Sequence, residues 1–324
     1  MLNYVIRRLL LAVVVLIIVT IGIFMLIEIS PGDPVAMMLT GQEMLLVTAS
    51  KQQEFIEAQR ERLGLNVPAP IRYVKWLAGV SKGQLGFSMI YSEPVTKMIG
   101  ERVGPTLLLM GIALFISAVF GVLIGIISGV WQYSVVDYVS TLFSFAGISV
   151  PSFFLALIII YLFALRLHWF PAAGMYTIGG PGGLSDLLWH ACLPSTVLAW
   201  DNMANLVRYT RSAILETIKA EYVTAARAKG LSEKRVILLH VLRNALIPVV
   251  TIIGLRIPYF FGGAVIIETV FAWPGLGRLL VEAVYSKDYP VILGLNLIIA
   301  LAVLLTNLLV DLSYAFIDPR IKYG

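Results

Sequence analysis

Residues 221–248 read EYVTAARAKGLSEKRVILLHVLRNALIP, and strongly apolar stretches lie on either side of them. Ala225, Ala226 and Ala228, with Ala220 just before, favour a helix of thin profile. Gly230 is suited to the left-handed turn that ends such a helix. Ser232 can cap a second helix, to which Leu231, Val236, Leu239 and Val241 offer apolar contacts. The stretch therefore predicts a short helix, a turn and a second helix that feeds the next apolar stretch. A slim, basic, alanine-rich helix of this kind fits a groove on a partner protein.

The surrounding chain is far too apolar for a soluble domain. Of its 324 residues 59% are hydrophobic and only 13% charged, and its mean hydropathy is +0.89, whereas soluble domains carry about a quarter charged residues. Six stretches approach the roughly 20 residues that cross a bilayer as a helix. They lie near 9–29, 105–130, 138–165, 192–211, 245–270 and 291–313. No alternating pattern suggests a barrel, so the expected fold class is an all-α integral membrane protein with six transmembrane helices. The net charge of +5 follows this topology. Arg7 and Arg8 precede the first span, eight Lys and Arg between Arg208 and Arg243 separate the fourth from the fifth, and Arg320 and Lys322 follow the last. An even number of spans puts all three groups on one side, which the positive-inside rule makes cytoplasmic together with both termini. The 9–27 run is longer than a signal-peptide core and is followed by Glu28-Ile-Ser rather than a small-residue cleavage site, so it reads as an uncleaved span. The single cysteine, Cys192, permits no intrachain disulfide and reads as a small packed residue.

Between spans one and two, residues 30–104 form the only sizeable polar insertion. Pro31-Gly-Asp-Pro34 stops the first helix. Ser50-Lys-Gln-Gln53 resembles a capping box opening a polar helix that Gly64 can close, and Pro68 and Pro70 precede an amphipathic run over 71–80. In span two Ser117, Gly121, Gly125 and Gly129 fall on one face and admit a neighbouring backbone closely, within this chain or on another subunit. Ser140, Ser144 and Gly147 form a similar face in span three, before a kink expected at Pro151. Pro248 and Pro258 are expected to interrupt span five, where such breaks line cavities or pack on protein.

Ionisable and amide groups within the spans are costly in lipid and mark functional candidates. Asp201, Asn202 and Asn205 in span four and Arg256 in span five are the candidate lining of a translocation path, with an Asp201–Arg256 ion pair or helix-packing hydrogen bonds as the competing structural account. Glu28 and Asp311 lie near the interfaces, where solvation suffices. Enzymatic readings fare poorly. Ser149 has no His within a span to act as its base. There is no His-x-x-x-His or Cys-x-x-Cys spacing for a catalytic or structural metal, and no Gly-Lys dipeptide for a phosphate-binding loop, so any ATP must be bound by another subunit. A secondary transporter is expected to show repeats and to need no cytoplasmic docking element.

Ala225-Ala226-x-x-x-Gly230 resembles the signature cytoplasmic loop of bacterial ABC importer permeases. Tyr222–Leu231 and His240–Pro248 resemble its dipeptide/oligopeptide branch. So do Pro31-Gly-Asp-Pro34, Glu268-Thr-Val-Phe-Ala-Trp-Pro-Gly-Leu-Gly277 with Asp288-Tyr-Pro290, and Asp311 through Asp318-Pro-Arg-Ile-Lys322. The chain departs from the general loop motif at Thr224, where the family has Glu, and lacks the motif's closing Leu-Pro at Leu242-Arg243. The resemblance implies the type I importer permease architecture, in the cytoplasmic membrane of a bacterium or archaeon. Residues 1–103 would be the first helix plus an extracytoplasmic loop, and 104–324 the permease core. The 217–243 loop would dock on an ATP-binding subunit through Glu221, Thr224, Ala225, Ala226, Arg227, Lys229, Gly230 and Leu231. Implied partners are a second homologous permease, one or two ATP-binding subunits that hold ATP and Mg, and an extracytoplasmic binding protein. That protein would deliver di- or oligopeptides and touch the 30–104 loop and segment 268–290. The chain itself would hold no cofactor and catalyse no reaction. Related permeases also move nickel complexes, glutathione or oligosaccharides.

Overall fold

The computed structural model describes residues 2–31, 49–62, 64–180 and 182–317. Among them regular structure is helical: α1 Leu2–Ile29, α2 Ala49–Arg62, α3 Ala69–Val80, α4 Val95–Val130, α5 Val135–Ser149, α6 Ser152–Ile159, α7 Leu184–Ile218, α8 Glu221–Ala228, α9 Glu233–Arg235, α10 Leu242–Val270, α11 Leu276–Ser286 and α12 Tyr289–Ile317. Wider π-type turns continue α6 over Ile160–Arg166 and link α9 to α10 over Val236–Val241. Most of the Pro31-Gly-Asp-Pro34 turn and the Asp318–Lys322 ending lie outside the described residues.

Among the described residues four helical stretches are long and apolar enough to cross a membrane, Ile6–Ile29, Val95–Val130, Glu233–Val270 and Tyr289–Leu312, and a fifth is formed if the α5–α6 pair is one span. That pair bends by 109°. The break falls at Val150 and Pro151, which stay extended, because the residue before a proline is pushed out of the helical region. The kink expected at Pro151 is thus a sharp reversal. The expected interruption of span five is not found: α10 runs unbroken through Pro248 and Pro258. The expected fourth span lies within α7, whose polar residues leave it out of the helices apolar enough to cross a membrane by composition.

The chain divides into two compact units. The first comprises Met1–Gly104 and Arg278–Leu305, with the last two residues. Here α3 packs along α1: Thr20 Oγ1 meets the Tyr73 hydroxyl at 2.9 Å, and Phe24 stands edge-on to Tyr73 at 5.4 Å. Glu28, expected to be merely solvated, accepts Arg72 Nη2 at 2.6 Å. Asp288, 1% exposed, accepts the Ser88 hydroxyl and the Met89 N–H and thereby anchors the loop before α4 to the start of α12. Ser50 lies within the polar helix α2 and not at its cap. Gly64 follows in the left-handed region, φ +67°, as expected.

The second unit, Pro105–Gly277 with Thr306–Lys322, is organised around α7. The small-residue face of α4 lies directly on it. A Cβ placed on Gly121 would come 2.8 Å from Leu206 Cβ, one on Gly125 2.5 Å from Thr210 Cβ, and one on Gly129 2.7 Å from Ile214 Cβ. These glycines and their partners each recur four residues apart, one turn at a time. The partner of the small face is therefore within the chain. On α5 a Cβ at Gly147 would collide with Ala204, while Phe143 packs edge-on against Trp200 at 4.5 Å. Ser140 and Ser144 return their hydroxyls to the carbonyls one turn back, at 2.6 and 2.8 Å, and so are buried without cost. Near the α4–α5 turn, buried Asp137 accepts from Ser128 Oγ (2.6 Å), Tyr133 N–H (2.9 Å) and both Arg211 Nε (2.6 Å) and Nη2 (2.9 Å). One carboxylate thus joins α4, α5 and α7, and Arg211 is partly spent on it.

Overpacking at the α4–α7 contact tests this arrangement. Gly125→Leu should destabilise the detergent-solubilised protein by at least about 1–3 kcal/mol, the usual cost of forcing extra methylenes into a packed site. Gly111→Ala, whose Cβ would meet nothing within 4 Å, should leave thermal stability unchanged or slightly raised. Equal melting temperatures for both variants would contradict the close approach.

Candidate functional site

The helix–turn–helix after α7 is built on a small core of its own. Ile214 from α7, Val223 and Ala226 from α8, Val236 and Val241 from the π-type turn, and Ala245 from α10 are buried together. Ile126 and Val130 of α4 pack on the same cluster. Val223 and Ala226 are three apart and share the inner face of α8. The outer face carries Glu221, Tyr222, Thr224, Ala225, Arg227 and Lys229, all exposed. Two residues expected to contact a partner are placed otherwise: Ala226 is 6% exposed and Leu231 packs against the cluster. They shape the platform from beneath. Tyr222, 46% exposed, was missed by sequence reasoning, although its position one residue before inward Val223 assigns it to the outer face.

Gly230 has φ +80° and donates its N–H to Arg227 O at 2.9 Å, which is the expected left-handed exit from α8. Ser232 occupies the N-cap position, but its side chain makes no capping bond; its carbonyl accepts from Arg235 and Val236 instead. Leu239, expected to be buried, is 53% exposed, because the π-type turn rotates the residues after Val236 away from a regular helical face. Arg227 grips Glu233 with two bonds, Nη2 to Oε1 at 2.6 Å and Nε to Oε2 at 3.0 Å, across the Gly230 turn. The pair is largely solvent-exposed, so it is worth little as stability. Its role is to set the angle between the two arms of the turn. Sequence reasoning missed Glu233.

The four candidate path residues separate in space. Asp201 is exposed on α7, and Asn205, 5% exposed, donates Nδ2 to its carbonyl at 2.9 Å and to its Oδ1 at 3.2 Å. Asn205 Oδ1 in turn accepts Arg208 Nη2 at 3.4 Å. Asn202 is 6% exposed and its Oδ1 is buried without a hydrogen-bond partner. Arg256 lies on α10 with its guanidinium 5.5 Å from the Tyr259 ring. No ion pair joins it to Asp201, so the structure brings Asp201 and Asn205 together and leaves Arg256 apart. No cluster of three potential metal ligands occurs among the described residues.

The segment from Glu268 to Gly277 is an internal lock. Glu268 is fully buried and accepts Thr106 Oγ1 at 2.6 Å and the Gly277 N–H at 2.7 Å. Thr106 Oγ1 also accepts the Leu276 N–H at 2.8 Å. Trp273, likewise buried, donates Nε1 to Pro105 O at 3.0 Å. A Cβ on Gly275 would strike the Glu268 carboxylate, and one on Gly277 the Val265 backbone. The carboxylate, tryptophan and two glycines of this stretch are required by one close-packed corner. Within Glu268–Gly277 only Thr269 is exposed; Val284 and Tyr285 further on are 54% and 80% exposed.

The family described as binding-protein-dependent transport system inner membrane component matches residues 121–323, and its N-terminal companion matches residues 1–110. The chain belongs to this family, whose members are inner-membrane components. It is 45% identical over 323 residues to a Brucella suis protein that carries a provisional peptide-permease name, covering 99% of each. It is 40% identical over 321 residues to the oligopeptide transport system permease AppB of Bacillus subtilis, again covering 99% of each. It is 39% identical over 323 residues to the glutathione transport system permease GsiC of Escherichia coli K12, covering all of both. Among solved structures, the inward-facing MetNI methionine ABC transporter shares the fold with a TM-score of 0.56 at 19% identity, over 70% of this chain and 99% of that one.

The lock at Glu268 generates a second test. Glu268→Ala leaves the Gly277 N–H and the Thr106 hydroxyl buried without an acceptor, at about 1–3 kcal/mol for each. The variant should therefore lose several degrees or more of thermal stability in detergent. Glu233→Gln, at an exposed pair, should change it by less than about 1 kcal/mol. A Glu268→Ala protein as stable as the parent would show that the lock contributes nothing.

Proposed function

We propose that the chain is one of two permease subunits of an ATP-driven importer of di- or oligopeptides. As a multi-pass inner-membrane component of a binding-protein-dependent system, it supplies half of the path. In this reading six helices cross the membrane with both termini in the cytoplasm, α7 being the span that its neighbours shield from lipid. Residues 1–103 form the first helix and extracytoplasmic loop, and 104–324 the permease core. The 217–243 loop couples to an ATP-binding subunit through Glu221, Thr224, Ala225, Arg227, Lys229 and Gly230, while Ala226 and Leu231 hold the helix in position. ATP and Mg belong to that partner, and a binding protein delivers substrate to the outer side.

The observation that carries this reading is the outward face of α8. It is exposed and thin, and it is mounted on a core shared with α4, α7 and α10. A push on α8 is therefore delivered directly to the ends of three long helices, as coupling requires. The peptide assignment is supported by the relatives named for oligopeptide and for glutathione transport. Glutathione, itself a tripeptide, is the second reading.

Charge reversal of both Arg227 and Lys229, or Gly230→Pro, should abolish ATP-dependent peptide uptake in proteoliposomes of the assembled importer. The proline removes the N–H bonded to Arg227 O and excludes the φ observed, which costs about 3 kcal/mol locally. Membrane insertion should persist. Uptake at the parental rate by these variants would sink coupling through the loop.

A further inference from the structure

Helix α7 is almost enclosed. Between His190 and Ile214 its exposed residues are Asp201, Arg208, Tyr209 and Ser212. Positions 201, 205, 208 and 212 are spaced by four, three and four residues, so they form one stripe along the helix. Of these four positions Asp201, Arg208 and Ser212 are exposed and Asn205 is buried at 5%, so the uncovered positions of this line are polar in a chain that is 59% hydrophobic. Lipid does not solvate such a stripe; ionisable groups within membrane spans face water-filled cavities or one another. The two charges of the stripe have opposite signs and are held apart. Asn205 stands between them, donating to Asp201 Oδ1 and accepting from Arg208 Nη2. Seven residues, about 10 Å of helical rise, separate the two Cα atoms, and the charged ends of the side chains converge on the Asn205 amide between them.

We propose that this stripe is a subsite for the two ends of a short zwitterionic peptide, with Asp201 receiving the ammonium and Arg208 the carboxylate. This rests on the permease reading above and names the substrate feature that the path recognises. A chain of two to three extended residues, about 7–10 Å, is the length that reaches both groups at once. The chemistry agrees as well, since a guanidinium binds carboxylate through two parallel N–H bonds and a carboxylate accepts from an ammonium with charge assistance. Beside Arg208 lies a cavity of about 250 Å³ with an apolar wall of Phe145, Ile148 and Val207 and with Thr141, Ser144, Arg211 and Ser212 as its other polar groups. It is smaller than the roughly 300–1,000 Å³ of a whole-ligand pocket and suits one terminus of a chain. Arg211, being bonded to Asp137, contributes field there, and Arg208 is the cation with donors to spare. The carboxyl end therefore points along α7 toward the coupling loop.

The test uses the purified importer assembly in detergent, without binding protein, and a tripeptide whose central side chain is photoreactive. Three probes are compared at millimolar concentration: free termini, N-acetylated and C-amidated. After irradiation, labelled peptides are mapped by mass spectrometry. The free tripeptide should label α7 between Asp201 and Ser212 and the facing α5 residues. Blocking either end should lower labelling about tenfold, the loss expected for one charge-assisted hydrogen bond. Arg208→Gln should lower labelling by the free and N-acetyl probes but leave the C-amide unchanged; Asp201→Asn should spare the N-acetyl probe instead. A merely structural role would lower labelling by all probes alike. Equal labelling by the three probes, uniform loss in both variants, or adducts mapping away from the stripe would overturn the subsite. Uptake driven by ATP and loaded binding protein, measured in parallel, reports on the permease reading separately: it fails if the parental assembly imports none of the peptide.

Discussion

The second unit depends on how closely two helix backbones approach. Gly121, Gly125 and Gly129 have no Cβ, and Leu206, Thr210 and Ile214 occupy that space. In a membrane the hydrophobic effect does not drive helices together, so intimate van der Waals contact must. This contact seats α7 against α4. It leaves α5 to close a second side through Gly147 and α10 a third, where Leu198 approaches Gly263. With three sides occupied, α7 tolerates polar residues that an isolated lipid-facing span does not.

The same enclosure explains the docking element. Its core is assembled from the ends of α4, α7 and α10, so α8 is not a flexible hairpin hanging from the membrane. The inward pair Val223 and Ala226 fixes which face α8 offers, and the Arg227–Glu233 pair together with Gly230 fixes how the chain leaves it. The outer face of α8 is thus mounted on residues that also belong to the ends of α4, α7 and α10. The Glu268 corner serves a comparable purpose at the other end of α10, where one buried carboxylate ties Thr106 to the turn at Gly277.

Much of this is legible from residue order. The glycine periodicity, the left-handed role of Gly230 and the position of Ser232 follow from local stereochemistry, which the neighbouring residues alone impose. The readings that failed involve competition between local and distant terms. Pro248 and Pro258 are helix breakers by local rule, yet α10 continues through them because its neighbours hold it. Leu239 looks like a core residue by spacing, but a π-type turn shifts the register. Ser232 is a good cap by type, although its hydroxyl is not used.

The sequence by itself determined the class of protein, since apolar length, the basic docking stretch and the motif order depend on composition and short-range pattern. It also determined which positions had to be glycine. Only the tertiary structure decided what those glycines meet, that Ala226 and Leu231 face inward, and that Glu268 is a lock instead of a surface. It alone separated Arg256 from Asp201 and left Asp201 and Arg208 exposed on either side of the buried Asn205. The physical reason is that burial belongs to pairs of elements. A helix carries its own periodicity, but which of its faces stays uncovered is set by the helices that pack against it.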